Sequence, residues 1–293
     1  MPELPEVETV AGDLKKVLVG KTIKSIISFD KKTFVTSLPS LRRAALGHKI
    51  IDVRRRAKML IIDFGKHLLV VHLKMTGQLI FQSNKKLIAG GHPIVSTGTT
   101  VPNKFTRLVF TLRDGGSPRF GEAGTLYFND IRKFGWVKAI KADEFSVIDN
   151  AYGHEPFDKA LTFEKFLSLI NRRLRTSIKA ALLDQKLVVG LGNIYVDEVL
   201  FKAGVRPARL VKTLTLSEKK KIYLAIPVIL KKAILKRGTT FSNFRDGAGQ
   251  KGNFVAYLKV YGRAGKVCKN CGQLIKKIRL AGRGTHFCPN CQK

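Results

Sequence analysis

No run in this chain approaches the roughly 20 consecutive apolar residues that a bilayer-spanning helix needs; the longest apolar stretches, such as residues 67–73, have the length of strands. The opening Met-Pro-Glu-Leu-Pro-Glu lacks the basic and apolar regions of a secretory signal, so the sequence is read as that of a cytosolic protein with no membrane partner. Cysteine is absent before residue 268, which leaves most of the chain without any disulfide. No internal repeat is visible. Acidic residues are scarce, with 21 Asp and Glu against 54 Lys and Arg, and the formal charge is +33. That imbalance points to a polyanionic partner, with a basic surface kept for solubility or for anionic lipid as the blander readings. Charge alone does not separate DNA from RNA.

What is present suffices for two ordinary domains: 293 residues, of which 44% are hydrophobic, a content that excludes a purely disordered chain. Leu4, Val7, Val10, Leu14, Val17 and Leu18 recur at helical spacing, with Pro5 suited to a first turn and Glu6 and Glu8 placed where a helix N-terminus favours negative charge. The pattern predicts an N-terminal helix whose first residues project freely. Short Ile-, Val- and Phe-rich runs follow at 21–29, 49–54, 59–64, 68–73, 78–81, 105–112, 126–129 and 136–140, the pattern of a β-sandwich or barrel. Segments 83–104 and 114–124 read as loop insertions. From about residue 162 the pattern turns helical, over 163–174, 177–185, 194–203 and 217–236, and Pro227 is expected to kink or split the last helix.

The most specific local signal is Cys268-x2-Cys271, a sixteen-residue spacer, and Cys288-x2-Cys291. Two close thiolate pairs separated by room for a β-hairpin predict one tetrahedral zinc, and four thiolates leave no open position, so the zinc is structural. Lys266, Lys269, Lys276, Lys277, Arg279 and Arg283 around it suit a DNA clamp. A second signal, Gly190-Leu191-Gly192-Asn193, reads as a glycine turn capped by Asn193 that opens a helix able to receive a phosphate, or equally as an ordinary helix-turn-helix turn. A third is Pro2. Removal of Met1 would expose a secondary amine with a pKa near about 8, able to attack a sugar C1′ as an iminium-forming nucleophile, with Glu3 and Glu6 nearby for proton transfer. An N-terminal Met-Pro by itself carries little information.

Taken together, residues 1–8, His72-Leu73-Lys74-Met75-Thr76-Gly77, Asn129-Asp130-Ile131-Arg132-Lys133-Phe134-Gly135, the 190–198 stretch and the four cysteines closely resemble the formamidopyrimidine-DNA glycosylase family, in order and from end to end. The resemblance implies an α+β multidomain fold. An N-terminal helix and β-sandwich catalytic domain would occupy 1–150, a helix-two-turn-helix domain 151–238, and a lesion-capping loop with a β-hairpin zinc finger 239–293, with damaged double-stranded DNA bound between the halves. It implies a base excision repair enzyme acting as a monomer, which removes oxidised purines and nicks the abasic site by β,δ-elimination. It assigns Pro2 as the Schiff-base nucleophile, Glu3 as the acid/base, Glu6 as a supporting acid and Lys58 as a phosphate-contacting catalytic lysine. Met75, Arg132 and Phe134 would fill the void left by an extruded nucleotide. His72, Lys179, Asn193 and Arg283 would hold phosphates, and 239–254 would form a mobile lid over the base.

Two departures from the family pattern stand out. The segments 83–104 and 114–124 lengthen the stretch between His72 and Arg132, and Lys104-Phe105-Thr106-Arg107 stands where Lys-His-Asp-His is usual, so a phosphate contact is expected to be lost or moved to Arg107. Leu4 favours the purine-specific branch over the endonuclease VIII group, which prefers oxidised pyrimidines. A non-catalytic zinc-containing nucleic-acid-binding protein is the rival from another class, and it has no use for a free proline amine.

Overall fold

A computed structural model describes residues 1–30, 33, 36–84, 87–91, 101–114, 122–239 and 253–293. The chain forms two compact units, one comprising Met1–Asn150 with the stretch that begins at Arg237, the other Ala151–Lys236 with Asn253–Lys293.

The first unit is a β-sandwich closed by a helix. Helix α1 (Leu4–Leu18) has Pro5 in its first turn, where a missing N–H costs nothing, and buries Val7, Val10, Leu14 and Leu18 on one face. One sheet is antiparallel in the order β1 (Lys21–Ser28), β7 (Thr106–Asp114), β8 (Glu122–Asp130), β5 (Gly77–Gln82), β6 (Leu87–Gly91); the other runs β2 (Asp52–Arg56), β3 (Met59–Asp63), β4 (His67–His72), β9 (Trp136–Lys141). Alternate residues such as Leu108, Phe110 and Leu112 from the first sheet and Leu69 and Val71 from the second meet in a single core with α1. Each such fully buried aliphatic or aromatic side chain stabilises by about 1.5–3 kcal/mol.

Several expectations are corrected here. The start of α1 does not project: Pro2 is buried and Glu3 is 3% exposed. Its N–H donates to Glu6 Oε2 at 2.9 Å, so the chain is capped onto its own helix. The stretch 83–104 is not all loop, because Leu87–Gly91 is strand β6. Gly90 there is a packing requirement, since a Cβ would stand 2.3 Å from Val10 Cγ2. Asp114 and residues 122–124 likewise belong to strands β7 and β8, so the second stretch is not all loop either, and 115–121 lie outside the described residues. Two short helices, α2 (Leu38–Ala45) and α3 (Phe145–Asn150), escaped the periodicity argument because each is too brief to show a period.

The second unit is helical with a β-hairpin. It contains α4 (Phe163–Asn171), α5 (Ile178–Leu183), α6 (Asn193–Ala203) and α7 (Leu216–Leu235), then β10 (Lys276–Leu280) and β11 (Arg283–Phe287). Helices α5 and α6 with their connecting turns form the helix-two-turn-helix. Pro227 does not split α7, which is continuous over 20 residues. Anchors on both sides of the proline hold it: Ile222, Ala225 and Ile226 before it, Leu230 and Ala233 after it are buried, and Tyr223 Oη donates to Leu161 O at 2.9 Å. None of the described helices is long and apolar enough to cross a membrane.

The Gly90–Val10 contact makes a test of how tightly β6 lies on the helix. Gly90→Ala should destabilise the protein by about 1–3 kcal/mol through overpacking. Gly12→Ala, in the same helix with nothing within 4 Å of the added Cβ, should stabilise by roughly 0.5–1 kcal/mol. Equal urea midpoints for the two variants would show that the strand yields freely.

Candidate active site

In the first unit the expected catalytic residues lie at the start of α1 and in the turn between β2 and β3. Glu6 joins three pieces of chain: Oε2 accepts from Glu3 N–H, and Oε1 accepts from Thr239 N–H at 2.7 Å and Thr239 Oγ1 at 2.9 Å. The lid expected at 239–254 lies outside the described residues except for its ends, and Thr239 is the end held by Glu6. Nearby, Arg55 Nε donates to Glu8 Oε2 at 2.6 Å and its Nη1 to Ala57 O at 3.0 Å. Helix α1 thereby holds the β2–β3 turn that carries Lys58. Arg56 pairs with Met59, so the loop has two residues, and Ala57 sits at φ 53° in a position hairpins ordinarily give to glycine. Lys58 is 7% exposed, so it is not a solvated surface lysine.

Lys58 sits one residue before Met59, the cross-strand partner of His72. His72 is 8% exposed, and its pKa is lowered to about 3 by burial, with the charges of Lys74 and Lys58 adding to the effect. Its Nδ1 accepts from Lys74 N–H at 3.0 Å, so the neutral ring carries its proton on Nε2 and can donate there.

Two loops at the end of the same sandwich present the residues expected to enter the duplex. Met75 is 37% exposed and Phe134 53%, large apolar side chains held out in water; Arg132 is exposed and stacks its guanidinium 4.7 Å from the Phe134 ring centroid. Between the loops lies Asp130, 0% exposed. It accepts from Thr76 Oγ1, from Arg132 N–H at 3.2 Å and from Gly135 N–H at 2.6 Å. Arg107 does not take over a phosphate contact: it is 8% exposed and donates from Nε to Asp130 O at 2.9 Å. The reading of the sequence passed over Asp130 and Thr76. The available signal was an acid set among basic and apolar residues of a loop in a chain so poor in acids.

In the second unit, the expected phosphate ligands meet the finger. Asn193 is not the cap of α6; Gly192 is, and Asn193 is the first helical residue. Gln185 shapes the glycine turn instead, accepting from Gly190 N–H at 3.0 Å and donating to Leu191 O at 2.9 Å. Asn193 Nδ2 donates to Gly284 O at 2.9 Å, next to the exposed Arg283. Lys179 is the clearest departure. It is 0% exposed, its Nζ lies 2.6 Å from Asp197 Oδ1 and 3.4 Å from Gly284 O, and so it supports the hairpin from behind with its charge turned to Asp197 and not to solvent. Asp197 Oδ2 accepts from His286 N–H at 2.8 Å. Its neighbour Glu198 accepts from the N–H groups of Val260 and Tyr261, both at 2.9 Å, while burial pushes its carboxyl above the ordinary range. These two acids were also missed, although adjacent carboxylates on an apolar helix must find buried partners.

The four cysteines come together at the base of this hairpin. Their sulfurs lie within 4.8 Å of one another, with Cys268 Sγ to Cys291 Sγ at 3.9 Å and Cys271 Sγ to Cys288 Sγ at 3.5 Å, and none is in a disulfide. A tetrahedral zinc with bonds of about 2.3 Å needs sulfurs roughly 3.8 Å apart, so the cage fits one structural zinc held by all four. The strands then close on Ala281 and Gly282 at φ 50° and 71°, a turn that sets Arg283 at the tip.

Three family models match the chain: the formamidopyrimidine-DNA glycosylase N-terminal domain over residues 1–137, the formamidopyrimidine-DNA glycosylase H2TH domain over 152–245, and the zinc finger found in FPG and IleRS over 265–293. The formamidopyrimidine-DNA glycosylase of Streptococcus thermophilus is 39% identical over 295 residues, and that of an Exiguobacterium species 37% over 296, each match covering 100% of both chains. Among solved structures, Lactococcus lactis Fpg in complex with an abasic site containing DNA matches with a TM-score of 0.86 at 33% identity over 99% of each chain. A mutant of the same protein bound to a Fapy-dG containing DNA matches with a TM-score of 0.86 at 33% identity over 100% of each. With full-length identity at this level and its three parts each matched in order, the chain belongs to the formamidopyrimidine-DNA glycosylase family.

Proposed function

We infer that this protein is a base excision repair glycosylase that removes oxidised purines from duplex DNA and nicks the resulting abasic site through a Schiff base on Pro2. The observation that carries the reading is the buried start of α1, where Pro2 and Glu3 are held by the Glu3–Glu6 cap and Glu6 also grips Thr239. Once Met1 is removed, the Pro2 nitrogen lone pair forms a bond to C1′ as the bond from C1′ to the base breaks, and the base leaves with that electron pair and a proton. Glu3 is the group placed to move protons to and from the sugar. Protonation of O4′ with cleavage of the C1′–O4′ bond then opens the sugar and leaves the C1′=N iminium on Pro2, which acidifies C2′; successive loss of the 3′ and 5′ phosphates completes β- and δ-elimination.

In this reading Lys58, the Nε2–H of neutral His72, Asn193 and Arg283 face DNA phosphates, and Met75, Arg132 and Phe134 occupy the void left by base extrusion. Lys179 serves by holding Gly284. The finger zinc stays structural, and the enzyme works as a monomer in the cytosol or nucleoid. A complex of the Lactococcus lactis protein with an oxidized pyrimidine containing DNA makes that class of base the second substrate to examine.

Borohydride should trap a covalent adduct between the protein with a free Pro2 and duplex carrying 8-oxoguanine opposite cytosine, and an N-terminal extension that blocks Pro2 should abolish both trapping and nicking. Normal trapping by the blocked protein would overturn the assignment. A separate expectation concerns His72. Its folded pKa of about 3 lies below the ordinary imidazole value of 6.5, so above pH 6.5 the ring is neutral in both states. As pH falls below 6.5 the unfolded chain takes up a proton that the folded chain refuses, and stability drops. Between pH 7.5 and 5 wild type should lose about 2 kcal/mol more than His72→Gln, read from urea midpoints; parallel losses would show that the ring protonates in place.

A further inference from the structure

Resting on the reading that Met75, Arg132 and Phe134 enter the duplex, we propose that Asp130 is a positioning residue that joins the two void-filling loops into one unit, so that the wedge and the reader of the orphaned base act together. The two loops are distant in sequence, the first spanning the β4–β5 turn and the second the β8–β9 turn. Their strands pair at Gly77 and Asp130, which brings the loop bases together but leaves the tips to be aligned. Asp130 does this. Thr76 Oγ1, from the loop of Met75, donates to Asp130 Oδ1, and the same hydroxyl oxygen accepts from Arg132 N–H at 3.1 Å. Arg132 N–H also reaches Asp130 Oδ1 at 3.2 Å, closing a three-membered ring of bonds across the loops. The second carboxylate oxygen takes Gly135 N–H, which fixes the far end of the loop that carries Phe134.

The site admits little alternative arrangement. A Cβ on Gly135 would lie 2.8 Å from Phe128 Cζ and 3.0 Å from Asp130 Oδ2, and one on Gly77 would lie 2.3 Å from Leu73 O. Arg107 holds the backbone of Asp130 from the neighbouring strand β7. A buried carboxylate bonded on every side transmits displacement because leaving any one partner strands charge in a desolvated pocket. The consequence is a link between chemistry that would otherwise be independent: a change in the Met75 loop alters how Arg132 reads the base opposite the lesion.

Thr76 tests this, since its side chain is expected to contact neither the sugar nor a base and meets Arg132 only at the backbone. The full chain with a free Pro2 is assayed on duplex 8-oxoguanine opposite each of the four bases and on an abasic site in single-stranded DNA, which has no orphaned base. Thr76→Val should slow duplex excision about tenfold, the scale of a lost hydrogen bond to a charged group, and draw the rates for the four opposite bases toward one another. Nicking of the single-stranded abasic site should stay at the wild-type rate, and Thr76→Ser, which keeps the hydroxyl, should restore both duplex rate and discrimination. A Thr76→Val protein with unchanged opposite-base ratios overturns the proposal, as does an equal loss on duplex and single strand, which marks general loosening. Wild type that nicks neither substrate would instead overturn the glycosylase reading on which the proposal rests.

Discussion

A carboxylate with no exposed surface, Asp130, is the constraint around which the DNA-facing end of the first unit is built. Burying a charge is tolerable only when its lone pairs are taken up, and here two backbone N–H groups and a hydroxyl take them. The arrangement has an unusual outcome for a loop region. Loops are ordinarily held only through their own strands, whereas these two are also tied directly to each other. Apolar side chains such as Met75 and Phe134 can then stand in water without collapsing onto the sandwich.

The second unit repeats the logic with different partners. Asp197 and Glu198, both essentially without exposure, lie side by side on α6 and reach in two directions. One takes Lys179 and the backbone of His286 in the finger hairpin; the other takes the backbone at Val260 and Tyr261. Zinc closes the base of the hairpin, Asp197 fixes its side, and Glu198 fixes the segment that leads into the finger. Gly284 O, which receives both Asn193 Nδ2 and Lys179 Nζ, fixes its tip beside Arg283. A chain with +33 formal charge thus sets several of its scarce acids inside, where they organise backbone, leaving the surface to the cations that suit a polyanion.

The period-2 and period-3.6 patterns made the strands and long helices legible because each buries one face, and the cysteine spacing made the zinc cage legible because ligand geometry is short-range. What escaped depends on distant pairing. Strand β6 hides in a glycine-bearing stretch, and its reason for glycine, the approach to Val10, comes from a helix some eighty residues earlier. Asn193 looked like a cap because cap preference is local, yet its amide is used by Gly284, on the finger hairpin. Lys179 and Arg107 looked like phosphate ligands because charge is read as surface by default; only the tertiary positions of Asp197 and the Asp130 carbonyl show them turned inward. Motifs located the site well, and side-chain roles within it were legible only where the partner was also nearby in sequence.

Backbone strain follows the same map. Among the described residues, the non-glycine residues with positive φ are Ala57, Lys74, Lys133, Arg237 and Ala281. Ala57 precedes Lys58, Lys74 precedes Met75, Lys133 lies between Arg132 and Phe134, Arg237 leads to Thr239, and Ala281 stands two residues before Arg283. None is an Asn or Asp, the types that tolerate this region most readily, so each position carries roughly 1–3 kcal/mol of strain. Glycine would relieve it and would also restore freedom to the turn. A residue that resists other conformations keeps the adjoining side chain aimed before DNA arrives, which lowers the ordering entropy left for binding. The strained turns are sustained by the ion pairs and buried carboxylates beside them: Arg55 with Glu8 at the first, Asp130 at the second and third, Asp13 with Arg237 at the fourth. Rigidity at these four points is therefore a property of the acids behind them, and removing an acid should loosen a turn whose own sequence is unchanged.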